Sequence, residues 1–170
     1  MEAYTSFAKV YDTFMDETPY EEWGVRIREM IEKYGVSKPC ISKGIKDVSD
    51  SGEASEDDVL ASERNLVVDL GCGTGAMTEL LYSYGYDMIG VDNAEEMLSI
   101  AMEKKAKQGS FILYLLQDMR ELELYSTVGT VVSVCDSLNY LLEEEELIET
   151  FKRVDNYLYP GGVFIFDFNT

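Results

Sequence analysis

The chain has 170 residues, the size of one domain, and 46% of them are apolar, enough for a sizeable core. Fourteen Lys+Arg against 33 Asp+Glu give a net charge of −19, and histidine is absent. That balance argues against nucleic-acid and anionic-membrane partners, and the missing histidine removes Ser-His-Asp and Cys-His catalysis, His-ligated zinc and imidazole proton shuttles.

Cys40, Cys72 and Cys135 are odd in number and widely spaced, which fits neither a CxxC pair nor a secreted disulfide framework. The first residues lack a basic and an apolar signal region, and the longest apolar run, Phe111–Leu116, is far too short for a bilayer. A reduced cytoplasmic protein is expected, with no metal site.

Tyr4, Phe7, Tyr11, Phe14 and Met15 recur at helical spacing and predict a helix over 4–15. Thr18-Pro19 suggests a fresh helix start, and Trp23, Ile27, Met30, Ile31 and Tyr34 then share one face before Gly35. Residues 1–36 thus read as a helical lid. Residues 37–65 read as a mobile acidic insertion, with 7 of the 33 acidic residues between Asp47 and Glu63 and a helical turn near Asp57–Ser62.

From residue 66 the pattern alternates between short apolar runs and helices. Strands are expected at Leu66–Leu70, Asp87–Val91, Phe111–Leu116, Val128–Cys135 and Val163–Phe168. Helices are expected at Ala76–Tyr84, Ala94–Lys107 (burying Met97, Ile100 and Ala101) and Glu143–Leu158, where Leu147, Phe151, Val154 and Leu158 form a stripe. The Pro160-Gly161 dipeptide reads as the turn into the last strand. Apolar strands separated by helices predict an α/β fold with a doubly wound parallel sheet of order 3-2-1-4-5.

The sharpest local feature is Val67-Val68-Asp69-Leu70-Gly71-Cys72-Gly73-Thr74-Gly75, a strand running through glycines into a helix. Glycines allow a tight turn and close approach of a ligand, and the following helix offers unpaired N–H groups. Asp92, twenty-one residues after Gly71, stands at the end of the second strand, where its carboxylate can accept ribose hydroxyls. A nucleoside-containing cofactor is implied. Gly71–Ala76 also satisfies the loose dinucleotide pattern, so a nicotinamide cofactor and an NAD(P)-dependent oxidoreductase stay open at this point. Asp69 counts against that alternative, because a carboxylate in the pocket suits an ammonium better than a diphosphate. A non-catalytic nucleoside-binding module is a third reading.

The sequence resembles the class I S-adenosylmethionine-dependent methyltransferases over nearly its whole length. VVDLGCGTG (67–75), GVDNAEEML (90–98), QDMRELEL (117–124), VVSVCDSLNYL (131–141) and YPGGVFIFDFN (159–169) match that family's motifs in order. AYTSFAKVYDTFM (3–15) resembles the lid of its small-molecule branch with ubiquinone-biosynthesis-like and sugar N-methyltransferase-like members. The resemblance implies S-adenosylmethionine as cofactor. It implies that Asp69 and the Gly71, Cys72, Gly73 and Gly75 backbone cradle the methionine part, and that Asp92 holds the ribose. By the same resemblance Asn93 and Met97 flank the adenosine, Asp118 and the Met119 N–H meet the adenine, and Asp136 and Ser137 line the methyl-transfer face.

Methyl transfer from a sulfonium is an in-line displacement that positioning alone can promote, and an amine acceptor needs no strong base. The catalytic candidates are Asp136, Tyr11 and Tyr140. A small-molecule N- or O-methyltransferase is expected, with an amine or other cationic acceptor preferred. Pro39-Cys40 precedes the first strand and Cys72 reads as a packing residue, so neither is taken as a nucleophile; Glu143–Glu146 reads as a solvated helix start. The family's sheet normally continues with a hairpin carrying strands six and seven, which this chain is expected to lack. Strand five is then an edge whose Val163, Phe164, Ile165 and Phe166 invite self-association.

Overall fold

The computed structural model describes residues 10–13, 15, 18–41 and 56–169. A helical turn spans 10–13, and Tyr4, Phe7 and Phe14 of the expected first helix lie outside the described residues, as do 42–55 of the acidic insertion. The ordered elements are α1 (Tyr20–Tyr34), α2 (Glu56–Asn65), β1 (Leu66–Leu70), α3 (Ala76–Ser83), β2 (Asp87–Asp92), α4 (Glu95–Gln108), β3 (Leu113–Leu116), β4 (Val128–Ser133), α5 (Glu144–Tyr157) and β5 (Leu158–Phe166). The five strands form one parallel sheet of order β3-β2-β1-β4-β5. That is the predicted architecture. Among the described residues no helix is long and apolar enough to cross a membrane.

Strand alternation divides the core. Val67 and Val132 point to one face and meet Ile27 and Ile31 of α1 and Met77 and Leu81 of α3; Val68 and Val131 point to the other and meet Leu122 and Val154 of α5. Asp69, two residues after Val67, shares the α3 face, and this periodicity is what sends its carboxylate toward the start of that helix. A Cβ on Gly24 of α1 would lie 2.6 Å from the Leu80 side chain of α3, so these two helices cross at close range.

Several elements differ from the sequence reading. The expected turn near Asp57–Ser62 is a ten-residue helix, α2, which buries none of its residues and so carries no hydrophobic period. Tertiary bonds hold it: Ser37 donates to the Arg64 carbonyl at 3.0 Å, and Thr127 donates to Glu63 at 2.7 Å. Strand β3 starts at Leu113, with Phe111 68% exposed, because α4 ends in a left-handed Gly109 cap and pairing with β2 begins at Ile89↔Leu113. Met30 and Tyr34 are exposed and line a shallow groove along β5 instead of joining the core. Leu98, not Met97 or Ile100, is the buried partner of Ala101 in α4.

Strand β5 also begins before Pro160-Gly161. It pairs at Val128↔Leu158 and again at Thr130↔Val163, so Gly129 alone faces the bulged segment 159–162. Gly129 is required there: a Cβ would fall 1.8 Å from the Arg64 carbonyl and 2.4 Å from the Ser37 hydroxyl. Gly129→Ala is therefore expected to lower the unfolding free energy by about 3 kcal/mol, by displacing α2 and the 37 segment from β4. Urea unfolding followed by circular dichroism measures this, and an unchanged midpoint would refute it.

Candidate active site

The carboxyl ends of β1, β2 and β4 open into a cavity of about 390 Å³. Parallel strands bring these three loops to one edge, and the switch in strand order between β1 and β4 leaves the crevice between them. Its lining includes Tyr11, Asp69, Gly71, Cys72, Gly73, Asp92, Asn93, Met97, Asp118, Met119, Ser137 and Tyr140 of the predicted site residues. Asp136 and Gly75 do not line it.

The glycine loop is pinned before any ligand arrives. Gly71 and Cys72 donate their N–H groups to the Val91 carbonyl at 2.8 and 2.9 Å. Gly71, Gly73 and Gly75 all have positive φ. A Cβ on Gly71 would lie 2.7 Å from Ser137, and one on Gly75 would lie 2.5 Å from the Tyr114 hydroxyl. Gly75 thus serves the start of α3, whose first amides have no intrahelical acceptor, and no side chain caps them. A Cβ on Gly73 would meet no protein atom within 4 Å, because the space above it belongs to the cavity.

Asp92 shapes this loop directly. Its Oδ2 accepts from the Gly73 N–H at 2.8 Å and its Oδ1 from the Ala94 N–H at 2.9 Å. It braces the glycine loop and the chain entering α4 while lining the cavity, and each oxygen keeps capacity for a further donor. Asp118, expected to face an adenine amino group, is gripped by Arg120, whose Nε and Nη2 reach its oxygens at 2.9 and 2.5 Å; Arg120 also pairs with Glu146. The Arg120 hydrogen bonds hold the Asp118 carboxyl below the usual carboxylate range.

Asp69 is only 2% exposed. Thr78 of α3 donates to its Oδ2 at 2.6 Å, and among the described residues no cation pairs with it. Burial pushes its carboxyl up to about 7, partly offset by the Thr78 bond, with Asp92 adding repulsion. Such a group favours a cationic ligand at the glycine loop.

Beyond β4 the chain makes a left-handed turn on two non-glycine residues, Cys135 (φ 60°) and Asp136 (φ 59°). Asp167, immediately after β5, holds that turn: its two oxygens accept from the Cys135 and Asp136 N–H groups, both at 3.0 Å. Asn139 and Asn169 exchange a second pair of bonds, and Ser137 donates to the Gly71 carbonyl at 3.1 Å. The turn directs Cys135 and Ser137 into the cavity wall and leaves Asp136 out of it. Asp136, expected at the methyl-transfer face, thus sits in the turn beside the cavity with its N–H bonded to Asp167. Sequence reasoning also missed Tyr20, Cys135, Arg120 and Asp167. Only Arg120 had a local signal, lying two residues after Asp118.

Tyr11, Tyr20 and Cys135 meet at the lid side of the cavity. Burial first, then Cys135 and Tyr140, push the Tyr11 phenol up to about 12. Burial likewise raises Tyr20, and it raises the Cys135 thiol to about 12. These groups stay protonated at neutral pH, which makes them hydrogen-bond donors and poor bases.

The methyltransferase-domain family matches residues 67–162, more than half of the chain. The chain belongs to the class I S-adenosylmethionine-dependent methyltransferases. The chain is 37% identical over 165 residues to YqeM of Bacillus subtilis and 36% identical over 164 residues to a Geobacillus protein, each provisionally named a methyltransferase. Both matches cover 96% of this chain but 54% and 56% of the relatives, so the chain spans about half their length. A crystal structure of an S-adenosylmethionine-dependent methyltransferase from Clostridium acetobutylicum superposes with a TM-score of 0.72 at 29% identity, covering 99% of this chain and 58% of that one.

Family membership makes S-adenosylmethionine the cofactor, and the residues fit it. The buried Asp69 carboxylate suits an ammonium, and the open side of Gly73 leaves room for backbone-close approach.

Because the Asp69 carboxyl is raised to about 7 from an ordinary value of 3.8, the folded state holds a proton that the unfolded state has released between those limits. This group therefore makes stability fall as pH rises from about 4 to about 7, with no further change above. Asp69→Asn keeps an acceptor for Thr78 and removes that slope. Without ligand, the variant is expected to gain on the wild type between pH 5 and pH 8 in urea unfolding. A difference constant with pH would refute the assignment.

Proposed function

We propose that this chain binds S-adenosylmethionine at the carboxyl ends of β1 and β2 and methylates a small-molecule acceptor, an amine in preference to a hydroxyl. The observation that carries the reading is Asp69, a buried carboxylate without a cationic partner among the described residues, beside a glycine loop with room above it. The cofactor supplies a sulfonium-activated methyl group. Asp69 would hold its ammonium, Asp92 would accept from the ribose hydroxyls with its remaining lone pairs, and Asn93 and Met97 would lie along the adenosine. Asp118, kept ionised by Arg120, would accept from the adenine amino group beside the Met119 N–H.

Tyr11, Tyr140, Tyr20 and Cys135 would form the wall where acceptor and methyl group meet. Three of these four are held protonated and the chain has no histidine, so an acceptor that reacts without a strong base is favoured. A neutral amine attacks before losing its proton, whereas an alcohol is a weak nucleophile unless a base takes its proton, which supports N-methylation. Phenol oxygens and ring faces would also accommodate positive charge near the sulfonium. The nicotinamide alternative is disfavoured by the same Asp69, which would oppose a diphosphate at the glycine loop.

Calorimetry on the 170-residue chain is expected to show binding of S-adenosylhomocysteine, weakened at least about tenfold by Asp92→Ala. Affinity should rise from pH 6 to pH 8 with proton release at pH 6, since ionised Asp69 binds the ammonium and its ligand-free carboxyl sits at about 7. Preference for NADH, or no heat with either ligand, would overturn the reading.

Self-association through the outer edge of β5 is a further part of the proposal, with a second copy as occupant. That strand lies at the edge of the sheet, with Phe166 at 38% exposure beside the Met30–Tyr34 groove. Sedimentation should show a dimer that Phe166→Lys dissociates; a strict monomer across concentrations would refute it.

A further inference from the structure

The lid turn over 10–13 is fastened to the cofactor loop by a closed ring of three side chains. The Thr74 hydroxyl donates to Asp12 Oδ1 at 2.6 Å, and Lys104 Nζ donates to Thr74 Oγ1 at 3.1 Å. Lys104 Nζ also pairs with Asp12 Oδ2 at 2.7 Å. Thr74 is 1% exposed within the glycine loop, so its hydroxyl depends on these partners for satisfaction. The Lys104 side chain, from α4, is 24% exposed and that of Asp12 is 42% exposed, so the ion pair is partly open to solvent and to screening by salt.

Asp12 follows Tyr11, and successive residues of a helical turn point about 100° apart. One therefore faces Thr74 and Lys104 while the other lines the cavity with Asp69, Cys135 and Tyr140. The placement of Tyr11 over the cavity and the anchoring of Asp12 to the loop beneath it are two ends of one short lever. Lifting the backbone of this turn away from the cavity requires the Asp12 contacts to break.

We propose that Asp12 and Lys104 are positioning residues that latch the 10–13 turn to Thr74, hold Tyr11 across the cofactor cavity and set the rate at which the cofactor leaves. This rests on the S-adenosylmethionine reading above. The latch acts on release more than on entry, because its bonds must break before the turn lifts, whereas binding to an already open turn does not require them. Asp12→Asn keeps an acceptor for the Thr74 hydroxyl but removes the ion pair, and Lys104→Met removes both lysine bonds while Thr74 still reaches Asp12. The exchanged pair Asp12→Lys with Lys104→Asp restores opposite charges across the same gap.

The test is stopped-flow dissociation of S-adenosylhomocysteine from the 170-residue chain, with hydrogen exchange of the 10–13 amides measured in the ligand-free protein. Each single variant is expected to release the ligand roughly three- to tenfold faster at low salt, with association little changed. Raised salt should shrink the difference, the 10–13 amides should exchange faster in both, and the charge exchange should restore most of both effects. Unchanged dissociation in variants that still bind overturns the latch alone, as does a lowered melting temperature with wild-type release. A wild-type chain that binds no S-adenosylhomocysteine overturns the cofactor reading, and this assignment with it.

Discussion

Backbone N–H groups at the carboxyl edge of a parallel sheet have no further strand to pair with, and here carboxylates at the ends of three strands take them up. Asp92, the last residue of β2, accepts from Gly73 and Ala94, and Asp118 after β3 accepts from Arg120. Asp167 after β5 accepts from Cys135 and Asp136. Each acid satisfies donors in a loop that borders the same cavity. The glycine loop and the left-handed turn after β4 would otherwise be costly conformations with unpaired amides. Charge-assisted bonds are stronger than neutral ones, which suits acids to this work. The shape of the cavity follows from where these carboxylates sit.

The same acids divide by environment into different electrostatic roles. Asp118 is held ionised by Arg120, whereas Asp69, buried against Thr78, is driven toward neutrality. Asp69 is the group whose state a cationic ligand would change most. The phenols and the thiol on the lid side are pushed the opposite way from a useful base, so that wall contributes shape, hydrogen bonds and ring faces. A site of this kind works by placement.

What sequence reading reached was set by range. The glycine loop and Asp92 were legible because their chemistry is compact: the strand, the turn and the acid at the end of the next strand are short-range signals with one structural solution. The sheet order followed from apolar runs alternating with helices and from right-handed crossovers. Helix α2 was hidden because none of its ten residues is buried, so neither period nor apolar stripe marked it. Phe151 read as core, yet it is 36% exposed and packs its ring 5.3 Å from those of Phe164 and Phe166 at the sheet edge.

By itself the sequence determined the doubly wound sheet, the cofactor loop, and the family, since each is written in neighbouring residues whose backbone preferences and spacing leave few alternatives. Tertiary structure alone decided which side chains share the cavity. Thr74, Asp12 and Lys104 lie 62 and 30 residues apart, Asp167 reaches back 31 and 32 residues, and Tyr20 meets Cys135 across 115. Such contacts leave no periodic trace, because they form only once the sheet has closed the distance between loops. Asp136 illustrates the difference: its position after β4 suggested the methyl-transfer face, and a left-handed turn held by a distant carboxylate took it out of the cavity.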